Sequence, residues 1–149
     1  MLFRSPESIR LAVEECGAGR IGHGVRIVED LVIQDGRIRR WGPIAAMVRD
    51  RGILLEVSPT SNVHTRTFSS MADHPLAVLH RGGFVVTLNT DNRLMSGITL
   101  TDEFVAAVEV HGLGVDDLHR MTVQAAEGAF CGVDVRDRVL RRVSAGYPA

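Results

Sequence analysis

The stretch "GGFVVTLNTDNRLMSG" contains a run, Phe84-Val85-Val86-Thr87-Leu88, that reads as a buried strand and stops at Asn89-Thr90-Asp91-Asn92. A carboxylate and two amides are thereby delivered to one strand tip. Two earlier points have the same form. "RIGHG" sets His23 between two glycines, and "ILLEVSPTSN" breaks from a strand into Ser58-Pro59-Thr60-Ser61-Asn62. A carboxylate held by a strand is a suitable hard-oxygen ligand, and an imidazole nearby can move protons close to neutral pH. Plainer readings exist for the same residues: Asp91 as an Asx-type cap, His23 as a loop histidine in a tight turn, Asn92 as a turn residue.

The surrounding pattern says what must position these groups. "SPESIRLAVEECG" has the punctuation of a helix, with Ser5 as N-cap, Pro6 at the first position and Gly17 beyond the end. "PIAAMVRDRG" and "HPLAVLHRGG" read as helices stopped by glycine. "ILLEV" and "FVVTL" read as strands. From Thr101 onward three helices follow with no strand between them. Strands alternating with helices predict an α/β fold with a parallel sheet. The strand ends fall near residues 23, 58 and 91, a spacing of about 34 that suits one βα unit each. In such folds functional residues gather at the carboxyl ends of the strands. His23, Ser58 to Asn62, and Asp91-Asn92 all occupy that position.

Composition narrows the function classes. At 149 residues the chain is one domain in size, and 45% hydrophobic residues suffice for a real core. A net charge of −1 gives no electrostatic reason to expect nucleic acid or an anionic membrane. Arg4, Glu7 and Arg10 interrupt the apolar run that a signal peptide would need, and no stretch approaches a membrane span, so a cytoplasmic location is expected. Cys16 and Cys131 are far apart and read as two buried thiols in a reducing compartment. His111 and His119 read as surface or helix-end residues, His64 and Arg66 as rim or solvated loop residues, and Arg37, Arg39 and Arg40 as part of a solvated charged face.

"RIGHGVRIVED", "EVSPTSNV" and "VTLNTDNRLMSG" resemble consecutive blocks of the zinc-dependent adenosine deaminase family, in that family's order and spacing. The resemblance implies a (β/α)8 TIM barrel of which this chain, residues 1–149, holds about the last three strands with flanking and carboxyl-terminal helices. It implies that Asp91 ligates Zn2+, that His23 lies beside the attacking water to orient it or take its proton, and that Asn92 meets the purine ring at N7. The implied substrate is a purine nucleoside: water adds at C6 of adenosine, and ammonia leaves. The HxE and PCxxC signatures of the zinc deaminases acting on cytidine are absent.

The family's H-x-H and H-A-G-E blocks, which carry the other zinc ligands and the purine-protonating glutamate, do not occur in this sequence. The resemblance therefore predicts a part of a longer enzyme, or a two-piece enzyme completed by a second polypeptide. The alternatives are a non-catalytic remnant or interaction module, or the same chemistry on adenine or another 6-aminopurine nucleoside. Asn92 stands where many members carry a second aspartate. A carboxylic acid donates to N7 only while protonated, whereas an amide donates at any pH. Asn92→Asp in a complete enzyme is thus expected to narrow the pH–rate profile; an unchanged profile with unchanged affinity removes the purine role.

Overall fold

The structure, a computed structural model, describes residues 5–147. Arg4, used above against a leader sequence, lies outside them. Helix α1 (Pro6–Glu14) opens on a reciprocal cap in which the Ser5 hydroxyl accepts from the Ser8 N–H and the Ser8 hydroxyl accepts from the Ser5 N–H. Three short strands, β1 (Arg20–Gly22), β4 (Leu54–Val57) and β5 (Val86–Leu88), form one parallel sheet in the order β1-β4-β5. Ile21 faces Leu55 across the first pair, and Leu55 faces Val86 across the second. Parallel neighbours need long connections. These are supplied by α2 (Pro43–Asp50) before β4, and by α3 (Pro59–His64) and α4 (Leu76–Arg81) before β5.

Side chains alternate across the sheet, and the two faces differ in kind. Ile21, Leu55, Val57 and Val86 are all fully buried, in one core with Ile9 and Val13 of α1, Ala45 and Val48 of α2, and Leu76 and Leu79 of α4. The other face carries Arg20, Gly22, Glu56 and Thr87, with the Arg20 guanidinium 2.6 Å from the Glu56 carboxylate. Beyond β5 come α5 (Arg93–Ser96), α6 (Leu100–Glu109), α7 (Val115–Glu127) and α8 (Val133–Gly146). Helix α7 lies on β5, where Gln124 Oε1 accepts from the Val86 N–H at 3.3 Å and so satisfies one donor of an edge strand.

The pattern-based outline holds for the three parallel strands and for the helices at each end. It misses a β-hairpin, β2 (Leu31–Gln34) and β3 (Arg37–Trp41), which pair antiparallel. The charged face expected there is a two-stranded ribbon closed by Asp35-Gly36, both at positive φ (52° and 67°), as a two-residue hairpin turn requires. The ribbon is tied down at its base. Trp41 packs on Phe84 with ring centroids 5.4 Å apart, and the Asp30 carboxylate accepts the Ala45 N–H in the first turn of α2. The cap of α2 is Gly42, whose own side chain cannot serve. A Cβ at Gly42 would lie 2.1 Å from Asp30 Oδ1, so glycine there is what admits the carboxylate.

Two further expectations need correction. Cys16 is exposed and Cys131 half-buried, so they are not a pair of buried thiols. The segment Ser58 to Asn62, expected as a loop, instead enters α3 (Pro59–His64), because Pro59 suits the first helical turn. Among the described residues no helix is long and apolar enough to cross a membrane. Phe84 is 2% exposed and joins the hairpin to the sheet. Phe84→Ala is expected to cost about 3–5 kcal/mol of stability, read as a fall in the urea midpoint.

Candidate active site

The three strand tips converge. The His23 N–H donates to Glu56 O of β4 at 2.9 Å, extending the β1–β4 pairing one residue past β1. On the far side of β4, the Asn89 N–H donates to Val57 O at 2.9 Å. Asn89 also spends its amide on Thr87, donating to Thr87 Oγ1 at 3.0 Å, so its side chain locks the end of β5. His23 and Asp91 both have left-handed backbones, with φ 61° and 54°. For non-glycine residues this is uncommon and costs energy, and such residues cluster where function requires a particular aim. Gly24 follows His23 at φ 66°, and a Cβ on it would meet Leu55 at 2.7 Å.

The aim brings two of the three expected residues together. His23 Nε2 stands 3.5 Å from Asp91 Oδ2, and the Ser61 hydroxyl donates to the same carboxylate oxygen at 2.7 Å. Gly22, His23, Glu56, Ser58, Asn89 and Asp91 line a cleft of about 250 Å³ at this end of the sheet. A larger hollow of about 430 Å³ lies at the opposite end, against Arg20, Leu54 and Phe130, without a comparable convergence of candidate groups. Asn92, next in the chain to Asp91 and exposed, does not line the cleft and serves as the N-cap of α5, its Oδ1 accepting from the Met95 N–H at 3.1 Å. Next to it Leu94 and Met95 are almost fully exposed.

Residues that sequence reasoning left without a role stand directly behind His23. Asn62 is fully buried and bridges two histidines, with Nδ2 3.0 Å from His23 Nδ1 and Oδ1 3.1 Å from His74 Nε2. The signal available was the cluster of small polar residues after β4. His74 gave none, since before Pro75 it reads as a helix approach. Burial pushes the His74 imidazole down to about 3, helped by the nearby rings of His111 and His23. His111, expected at the surface, is buried with its ring 6.0 Å from that of His74. Its pKa too is lowered, by burial and then by Arg81. His119 is half-buried and stacked on Tyr147. His64 and Arg66 are exposed, as expected; Arg66 lies in the turn after α3, whereas His64 is the last residue of the helix itself. Glu103 of α6 anchors α3 from behind by accepting the Thr60 N–H at 3.1 Å, and burial raises its pKa against that hydrogen bond.

As a metal site the arrangement is partial. Among the described residues no three His, Cys, Asp or Glu side chains are grouped to hold an ion. Zinc takes about four ligands. The residues that meet here fit one ligand of such a site, the Asp91 carboxylate, rather than the whole site.

Residues 3–146 match the family model described as adenosine deaminase. The chain belongs to the adenosine deaminase family. It is 47% identical over 130 residues to an adenosine deaminase of Mycobacterium sp. (strain JLS), an alignment covering 87% of this chain and 36% of that protein. The chain thus spans little more than a third of the length of that relative. The adenine deaminase of Arthrobacter aurescens superposes with a TM-score of 0.83 at 24% identity, covering 95% of this chain and 40% of the other. An amidohydrolase from Burkholderia ambifaria, solved with bound Zn, superposes at 0.72 and 20% identity, covering the same shares. These likenesses show the fold: the three parallel strands with their helices are part of a TIM (β/α)8 barrel.

The buried histidines give this region a pH signature. Unfolded, His74 takes up a proton near 6.5; folded, it stays neutral down to about 3. Between these values the unfolded state binds more protons, so stability is full above about 6.5 and falls as pH drops below it. The slope contributed is at most about 1.4 kcal/mol per pH unit. Urea unfolding between neutral and mildly acidic pH is expected to show this decline. His74→Gln should reduce it, with His111 supplying the remainder in the same direction.

Proposed function

We propose that residues 1–149 supply the carboxyl-terminal strands of a cytoplasmic adenosine deaminase domain. Water adds at C6 of the purine, the C6–N bond breaks, and adenosine becomes inosine and ammonia. Asp91 would be the ligand that this chain gives to zinc, which when bound lowers the pKa of a water towards about 7. His23 stands beside that water, and Asn92 holds the base. The carrying observation is the meeting of His23 and Asp91 at 3.5 Å on the tips of two strands, within a chain that belongs to this family. The Asn92 oxygen is taken by the Met95 N–H, which leaves the amide N–H groups to donate to N7. Adenosine is preferred to adenine because the relative at 47% identity is an adenosine deaminase. The adenine deaminase, at 24% identity, supports the fold alone.

The rest of the zinc site belongs to a segment carrying H-x-H and H-A-G-E, in a longer chain or a second polypeptide. A second reading is a remnant without catalysis, to which the lack of any three grouped His, Cys, Asp or Glu side chains among the described residues points. Joining the chain to the amino-terminal segment of the mycobacterial relative separates the two. Stoichiometric zinc and inosine formation are expected, and an inert, metal-free assembly selects the remnant. Asp91→Asn should abolish zinc retention and turnover in that assembly. Asparagine tolerates the left-handed backbone and still accepts from Ser61, so stability should change by less than about 0.5 kcal/mol. Turnover surviving Asp91→Asn overturns the proposal.

A further inference from the structure

The hydrogen bonds behind His23 have a direction, and a backbone amide sets it. The Leu76 N–H, which can only donate, points at His74 Nδ1 at 3.2 Å. His74 Nδ1 must therefore present its lone pair, and the neutral ring carries its hydrogen on Nε2. That N–H meets Asn62 at 3.1 Å and needs an acceptor, which places Oδ1 of the amide towards His74. The Asn62 Nδ2 group, on the other side, then donates to His23 Nδ1 at 3.0 Å. With a lone pair demanded at Nδ1, neutral His23 carries its hydrogen on Nε2, the atom that faces Asp91 and the cleft. Asn62 is fully buried and His74 nearly so, at 3% exposure. Both are shielded from bulk solvent, and reversing any one of these bonds leaves two donors or two acceptors face to face.

We propose that Asn62 and His74 are positioning residues: a one-way chain from the Leu76 N–H through His74 and Asn62 holds His23 as the Nε2–H tautomer. The consequence deepens the deaminase reading, on which it rests. Of the two roles open to His23, taking a proton or orienting the attacking water, this tautomer selects the second. An imidazole with hydrogen on Nε2 has no lone pair there to accept a proton, and it offers a donor instead. It can donate to an oxygen in the cleft and keep that oxygen's lone pairs fixed in direction. Burial supports the same picture by keeping His74 neutral, so that the relay does not reverse by protonation.

The test reads the ring nitrogens directly and needs neither zinc nor turnover. In the 149-residue chain labelled with 15N-histidine, long-range 1H–15N spectra at mildly alkaline pH distinguish the two tautomers, and His23→Gln assigns the His23 signals. The expected result is a protonated Nε2 and a bare Nδ1 on both His23 and His74. Asn62→Asp puts an acceptor against His23 Nδ1, so Nδ1 should become protonated. A merely structural Asn62 would alter stability and leave the tautomer alone. The inference is overturned by Nδ1–H on His23 in the parent chain, or by a folded Asn62→Asp variant with the parent tautomer. Should Asn62→Asp not fold, the parent spectrum decides by itself. An inert completed enzyme showing the expected tautomer would remove the deaminase reading and leave the relay standing. The opposite tautomer in an active enzyme would remove only the relay.

Discussion

Strand β4 is the constraint from which the site hangs. It is hydrogen-bonded on both sides, and its last two carbonyls reach past its neighbours: Glu56 O holds the His23 N–H, and Val57 O holds the Asn89 N–H. The chain then leaves β4 through Ser58 into α3, which carries Ser61 and Asn62 to the backs of Asp91 and His23. One central strand therefore fixes the backbone of two functional tips and delivers the side chains that steer them. Its own place is set by burial: Leu55 and Val57 are fully buried in the core shared with α1, α2 and α4. A one-residue slip would turn Leu55 out of the core and Glu56 into it. Packing and site geometry are thus one specification.

What was legible in the sequence follows from this division. Hydrophobic periodicity shows elements whose burial depends on their own residues, and the three parallel strands and the terminal helices are of that kind. Glycine and serine punctuation set helix ends such as Ser5, because capping is local. The hairpin at 31–41 was legible in principle, since Asp35-Gly36 is a strong two-residue turn signal. The three arginines that follow it obscured the alternation. Its strands have little to bury: Val32 and Ile33 are largely exposed, so the apolar signal that reveals a strand is weak. The relay behind His23 was not legible. Asn62 and His74 are twelve residues apart and meet only because α3 and the loop after it fold back over the sheet. A buried polar contact between distant segments leaves no periodic trace.

His23 and Asp91 also show how such a site holds its aim. Each has a left-handed backbone that a non-glycine residue adopts at a cost, of order 1–2 kcal/mol for most side chains and less for aspartate. Neither is held by its own preference. His23 is pinned by the Glu56 carbonyl in front and the buried Asn62 amide behind, and Asp91 by the Ser61 hydroxyl. Those partners stand on β4 and α3, which the core fixes. The strain is local, and the stability that offsets it comes from elsewhere in the fold.

This has a bearing on what a metal contributes. In domains where zinc organises the fold, the site is not preformed without the ion, and removing it unfolds the chain. Here the Asp91 carboxylate has a hydroxyl donor, and the His23 ring has its own buried amide. Both orientations are set by neighbours that a metal does not touch. On the proposed reading the half-exposed carboxylate is pre-aimed, so an ion bound there would cost little reorganisation and add little to folding. What this part of the chain shows is rigidity: a carboxylate and an imidazole ring held at a fixed separation by a sheet.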